Sequence, residues 1–104
     1  MLIKNNNVLN DKIFKITENY KPDLIILGHN NTLNSNTIEK IKSKRDTKIA
    51  LWYEDHLVKD GPNAQNNLTL IEKNQDLIDQ YFITTHPSVV KTKIPRKKIN
   101  FMPI

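Results

Sequence analysis

The chain has 104 residues, enough for one small domain, and carries a formal net charge of +5. It contains no cysteine, which excludes disulfides and thiolate metal sites. No apolar run approaches the ~20 residues that span a bilayer, and the start Met1-Leu2-Ile3-Lys4 lacks the apolar stretch of a secretory signal. A cytoplasmic location is the expectation.

Residues 8–20 carry Leu9, Ile13, Ile16 and Tyr20 on one helical face, so an amphipathic helix is predicted with that face to the core. Lys21-Pro22-Asp23 ends it, because the residue before a proline is biased away from helix. A short strand at Leu2-Ile3 is too weak to count. Leu24-Ile25-Ile26-Leu27 is a continuous aliphatic run, the pattern of a strand covered on both faces in a parallel sheet. Gly28 stops it, and a polar loop follows with His29, Asn30, Asn31 and Thr32.

Asn34, Ser35 or Asn36 can cap a short helix over 36–45, with Ile38 and Ile41 inward and Lys42, Lys44 and Arg45 in the last turn. Residues 48–53 form a second strand, with Trp52 expected in the core and Tyr53 on the opposite side. Glu54, Asp55 and His56 follow, and Gly61-Pro62 marks a turn. The longest helix is predicted over 63–80. A third strand covers 81–84. Thr85-His86-Pro87 resembles a helix start, with a weak helix over 87–93. A fourth strand covers 99–102.

Strands alternating with helices indicate an α/β fold. The expected architecture is an open, mostly parallel sheet of about four strands with helices on both faces, Rossmann-like and incomplete. Residues 1–104 read as one domain, expected to be a fragment of a longer two-domain protein. The pattern opens on a helix and closes directly after a strand.

In open parallel sheets, ligands bind at the carboxyl ends of the strands. That rule selects the loops at 28–31, 54–56 and 85–86, which hold all three histidines. A loop histidine beside Asp55 or Glu54 suits general-base work on a hydroxyl. The plainer reading is that such residues cap helices and fill loops. His29, Asp55, His56 and His86 match no compact zinc spacing, so no metal is expected. The two glycines form no phosphate-cradling motif, and no nucleophile elbow exists.

The lysine-rich charge is scattered except for Lys91, Lys93, Arg96, Lys97 and Lys98. That segment lacks interleaved aromatics, so nucleic acid is not the expected partner. Lys, Asn and Ile, whose codons are AT-rich, dominate the composition, and fourteen of the sixteen cations are Lys, so the charge follows from that bias. A response-regulator receiver domain shares the architecture, but Gly28 and His29 stand where its phosphoacceptor Asp is required.

KPDLIILGHNN, KIALWYED, YFITTHPSVV and INFMPI, in that order, resemble the N-terminal domain of bacterial GT-B glycosyltransferases, near the CgeB-like (spore-maturation-protein) group. The resemblance covers roughly residues 20–104. It implies an acceptor-side domain facing a donor domain across a cleft, with sugar transfer from a nucleotide sugar to a hydroxyl and no cofactor. Trp52-Tyr53-Glu54-Asp55 would match the aromatic-acid strand end lining the cleft. Thr84-Thr85-His86-Pro87 would match a later loop, and Phe101-Met102-Pro103 the exit toward the second domain. His29, Asp55 and His86 are the catalytic candidates, with base or orienting roles open. Asn30, Tyr53, Glu54 and Thr85 are the substrate-binding candidates. The donor domain is not in these 104 residues, so the chain is expected to be inactive alone. Nucleotide sugar and acceptor would be partners of the full-length parent. The alternative is a non-catalytic α/β binding or interaction domain.

Overall fold

The computed structural model describes residues 2–28, 33–54, 57 and 64–103, with side chains described from residue 8 and, in the third helix, from residue 67. Helix α1 spans Leu2–Tyr20, strand β1 Leu24–Gly28, α2 Ser35–Lys44, β2 Lys48–Tyr53, α3 Ala64–Glu72, β3 Gln80–Ile83 and β4 Ile99–Phe101. Single 3-10 turns lie at Pro87–Val89 and Arg96–Lys98. The strands form one parallel sheet in the order β1-β2-β3-β4, so the α/β, Rossmann-like class is as the sequence indicates.

The sheet order decides where the helices go. Right-handed crossovers between successive parallel neighbours place every connecting helix on the same side. The buried cluster follows that rule. Ile49, Leu51 and Tyr53 of β2 and Tyr81 and Ile83 of β3 pack with Ile38 of α2 and with Leu68 and Ile71 of α3. Ile25 and Leu27 of β1 and Ile13 of α1 join from the same side. A second helical layer, expected on the opposite face, is not found among the described residues. Instead Leu24 and Ile26 are exposed, so β1 is not the doubly covered strand its aliphatic run suggested.

Alternation along β2 corrects one placement. Tyr53 points into the core, and Trp52 lies half-buried on the uncovered face rather than in the core. A one-residue offset exchanges the two faces of a strand, and a run as apolar as Ile49–Tyr53 does not reveal which set faces inward.

Helix α1 also differs from its predicted orientation. Leu9, Ile16 and Tyr20 are exposed, whereas Asn10 and Thr17 are buried. Asn10 Oδ1 accepts the Asn34 backbone N–H at 2.9 Å, and Thr17 Oγ1 donates to the Ile13 carbonyl at 2.8 Å. These bonds satisfy the polar groups that the helix turns toward α2. Lys40 of α2 sits 4.4 Å from the Phe14 ring centroid. The helix begins at Leu2, which absorbs the weak strand signal there. It ends with Lys21 at φ 50°, its N–H donating to the Thr17 carbonyl before Pro22.

Asn34 is the cap of α2, as its residue type suggests, accepting from the Thr37 N–H at 2.9 Å. Helix α3 stops at Glu72, well short of the predicted residue 80. Tyr81, fully buried, donates its hydroxyl to the Ile71 carbonyl at 2.6 Å, the acceptor that a continuing helix would give to Gln75. Burial, with Glu72 and Asp76 nearby, pushes the Tyr81 hydroxyl pKa up and keeps it protonated. The weak helix expected over 87–93 shrinks to one 3-10 turn. Val90 and Ile94 reach the core instead, and the Glu72 carboxylate accepts from Thr92 Oγ1 and the Lys93 N–H.

At the amino end of the sheet, Asp79 Oδ2 accepts from Lys42 Nζ at 2.5 Å and from the Ile49 N–H at 2.8 Å. Burial by itself would raise this carboxyl. The Lys42 ammonium and the Ile49 N–H outweigh burial, and the pKa lies below the ordinary value. No helix among the described residues is long and apolar enough to cross a membrane.

Candidate functional site

The carboxyl ends of β2, β3 and β4 meet along one rim. Glu54 follows β2 and is exposed. Its Oε1 accepts the indole N–H of Trp52 at 2.9 Å, which fixes the ring plane on the uncovered sheet face. Its backbone carbonyl accepts the Thr84 hydroxyl at 2.9 Å, joining the ends of β2 and β3. Thr85 is buried and accepts the Leu57 N–H at 3.1 Å. Tyr53 is buried in the core. Of the predicted substrate-binding residues, Thr85 and Tyr53 therefore hold structure, while Glu54 faces solvent on the rim.

His86 is exposed, with its ring centroid 5.0 Å from that of Phe101 and the planes tilted by 57°. It caps the first 3-10 turn: the Ser88 N–H donates to Nδ1 at 3.2 Å, and Ser88 Oγ lies 2.7 Å away. A backbone donor at Nδ1 leaves the neutral ring's proton on Nε2. In this geometry His86 presents an N–H to a ligand, which suits orienting a hydroxyl oxygen more than removing its proton. His29, Asn30 and Asp55 lie outside the described residues, as does His56.

Beside the rim, the uncovered face forms a shallow apolar groove of about 260 Å³. Ile26, Ala50, Trp52, Phe82 and Met102 line it. The unbroken apolar runs of β1 and β2 give no sign of which side this surface takes, and only the sheet order reveals that no described helix covers it. Among the described residues, no three histidine or carboxylate side chains gather in a metal-binding group. Compared with known proteins, the chain matches no family model, no curated protein and no solved structure.

Proposed function

We propose that this chain is a non-catalytic α/β binding domain that holds a hydroxyl-rich ligand on its uncovered sheet face and carboxyl rim. The observation that carries the reading is Trp52. Its indole lies on the open face with its N–H held by Glu54, an aromatic platform beside an exposed carboxylate. Sugars present both an apolar C–H face and hydroxyl groups, and such a pairing meets both. His86 adds an N–H donor on the same rim. The resemblance to GT-B acceptor domains supports the same ligand class and rests on the same strand end, Trp52-Tyr53-Glu54. In that setting this domain holds the acceptor, and a partner domain supplies the nucleotide sugar. Orientation without a donor site yields no transfer, because the rate gain comes from fixing both reactants together.

Trp52 is the single tryptophan, so its emission reports on the site directly. Titration with neutral oligosaccharides is expected to give a saturable change in Trp52 fluorescence, reduced in Glu54→Ala. Nucleotide sugars alone are expected to give none. Flat emission across a panel of oligosaccharides at millimolar concentration sinks the reading. A response to nucleotide sugars alone would instead place the donor on this chain.

A further inference from the structure

The two edges of the sheet are built differently. β4 has three residues, follows Pro95 and three cations, and its Asn100 side chain bonds Gln80 Oε1 and the Tyr81 carbonyl. Short length, proline and charge are the usual protections of an edge. β1 has five residues, all aliphatic except Gly28, and no charge. Among the described residues no strand pairs its outer side.

The backbone of β1 faces that side in a defined pattern. The Lys48 N–H donates to the Asp23 carbonyl. By alternation along a parallel ladder, Ile25 and Leu27 also turn their peptide groups toward β2, and Leu24, Ile26 and Gly28 turn theirs outward. Helix α1 packs against α2, and α2 bridges β1 to β2, so α1 is the outermost helix at the β1 end. There it exposes Leu9, Ile16 and Tyr20, the stripe that the sequence assigns to a core.

We propose that α1 and β1 form a self-association surface, on which two copies of this chain pair their β1 strands antiparallel across a two-fold axis. The axis passes by Ile26, sets Leu24 opposite Gly28, and extends the sheet to eight strands. The two α1 stripes then meet above the seam. The lengths agree. Five strand residues span about 17 Å. Leu9 to Tyr20 spans about 17 Å of helix. Charge favours this edge over any other. Along residues 8–20 Asp11 and Glu18 balance Lys12 and Lys15, and β1 is uncharged, so the +5 of each copy stays away from the seam. The footprint, about 17 Å by about 20 Å of sheet plus one helix, is roughly 340 Å² in projection. That lies below the ~800 Å² per partner of a standard stable complex, so the dimer is reversible.

Sedimentation of the full chain tests this. The mass is expected to rise from one chain toward two as concentration increases. Ile16→Glu, at an exposed position, is expected to hold it at one chain with an unchanged circular dichroism spectrum. The chain has no cysteine, so Ile26→Cys adds one reporter. An Ile26 pair on the axis has its Cα atoms about 5.5 Å apart, within disulfide range. Mild oxidation is expected to link Ile26→Cys into dimers while Lys97→Cys, at the β4 end, stays largely unlinked. A one-chain mass at every concentration up to roughly 1 mM overturns the proposal. So does an Ile16→Glu variant that still dimerises, or equal linking of the two cysteine variants.

Discussion

The same strands present two faces of opposite fate. On one, Ile49 and Tyr81 are fully buried beneath α2 and α3. On the other, Ile26 is 61% exposed and Leu24 is 52% exposed. The open face also carries Lys48, Gln80 and Asn100, yet Leu24 and Ile26 on it are as apolar as Ile49, so side-chain hydrophobicity alone does not decide which residue is covered. Connectivity does, because sequential parallel neighbours send every crossover helix to one side. Parity separates Ile49 and Tyr81 from Leu24 and Ile26, whereas Ala50, small and on a central strand, is buried even on the open side.

The largest expected break in that contrast comes from the covered face. Ile49→Ala removes a fully buried side chain from the centre of the sheet and is expected to lower unfolding stability by about 2–5 kcal/mol in urea denaturation. A loss below about 1 kcal/mol would mean that the helical layer packs loosely on the sheet.

A smaller effect is expected at the rim of the covered face, where Asp79 bonds Lys42 and the Ile49 N–H. The folded carboxyl lies below its ordinary value of 3.8, so the unfolded chain takes up its proton first as pH falls. The stabilisation is complete above the unfolded pKa and is lost as pH drops through the folded one. Asp79→Ala is expected to reduce stability at neutral pH by roughly 1.5–3 kcal/mol, the range for hydrogen bonds to charged groups. Stability measured from pH 6 to pH 2 should then fall less steeply than in the native chain. Parallel pH profiles for the two proteins would assign the acid loss to other carboxylates.

How much of this contrast the sequence carries depends on the distance over which each feature is decided. The four strands and the Asn34 cap are local, written in short aliphatic runs and a single polar side chain ahead of a helix. The end of α3 is not local. It depends on the Tyr81 hydroxyl reaching the Ile71 carbonyl from the next strand. The rotation of α1 is fixed by an Asn10–Asn34 bond across 24 residues, which no periodicity reveals. In the candidate site, the carboxyl-edge rule leads to the loops after β2 and β3. It does not separate Thr85, spent on the Leu57 N–H, from Glu54, which faces solvent. Trp52 lies on the uncovered side, and not in the core, because of the parity of its position.

The smallest expected effect is the sharpest check on parity. Ile26→Thr keeps a β-branched side chain and the strand geometry while replacing a methyl-bearing arm with a hydroxyl. On a covered face that exchange would bury a polar group and cost well over 1 kcal/mol. On the open face the hydroxyl meets water, so dilute urea unfolding should stay within about 0.5 kcal/mol of the native chain. Paired with Ile49→Ala on the opposite face of the neighbouring strand, it separates position from residue type, since both substitutions start from isoleucine. A stability loss at Ile26 approaching that at Ile49 would show that the second face is covered in solution, and the one-sided architecture would fall with it.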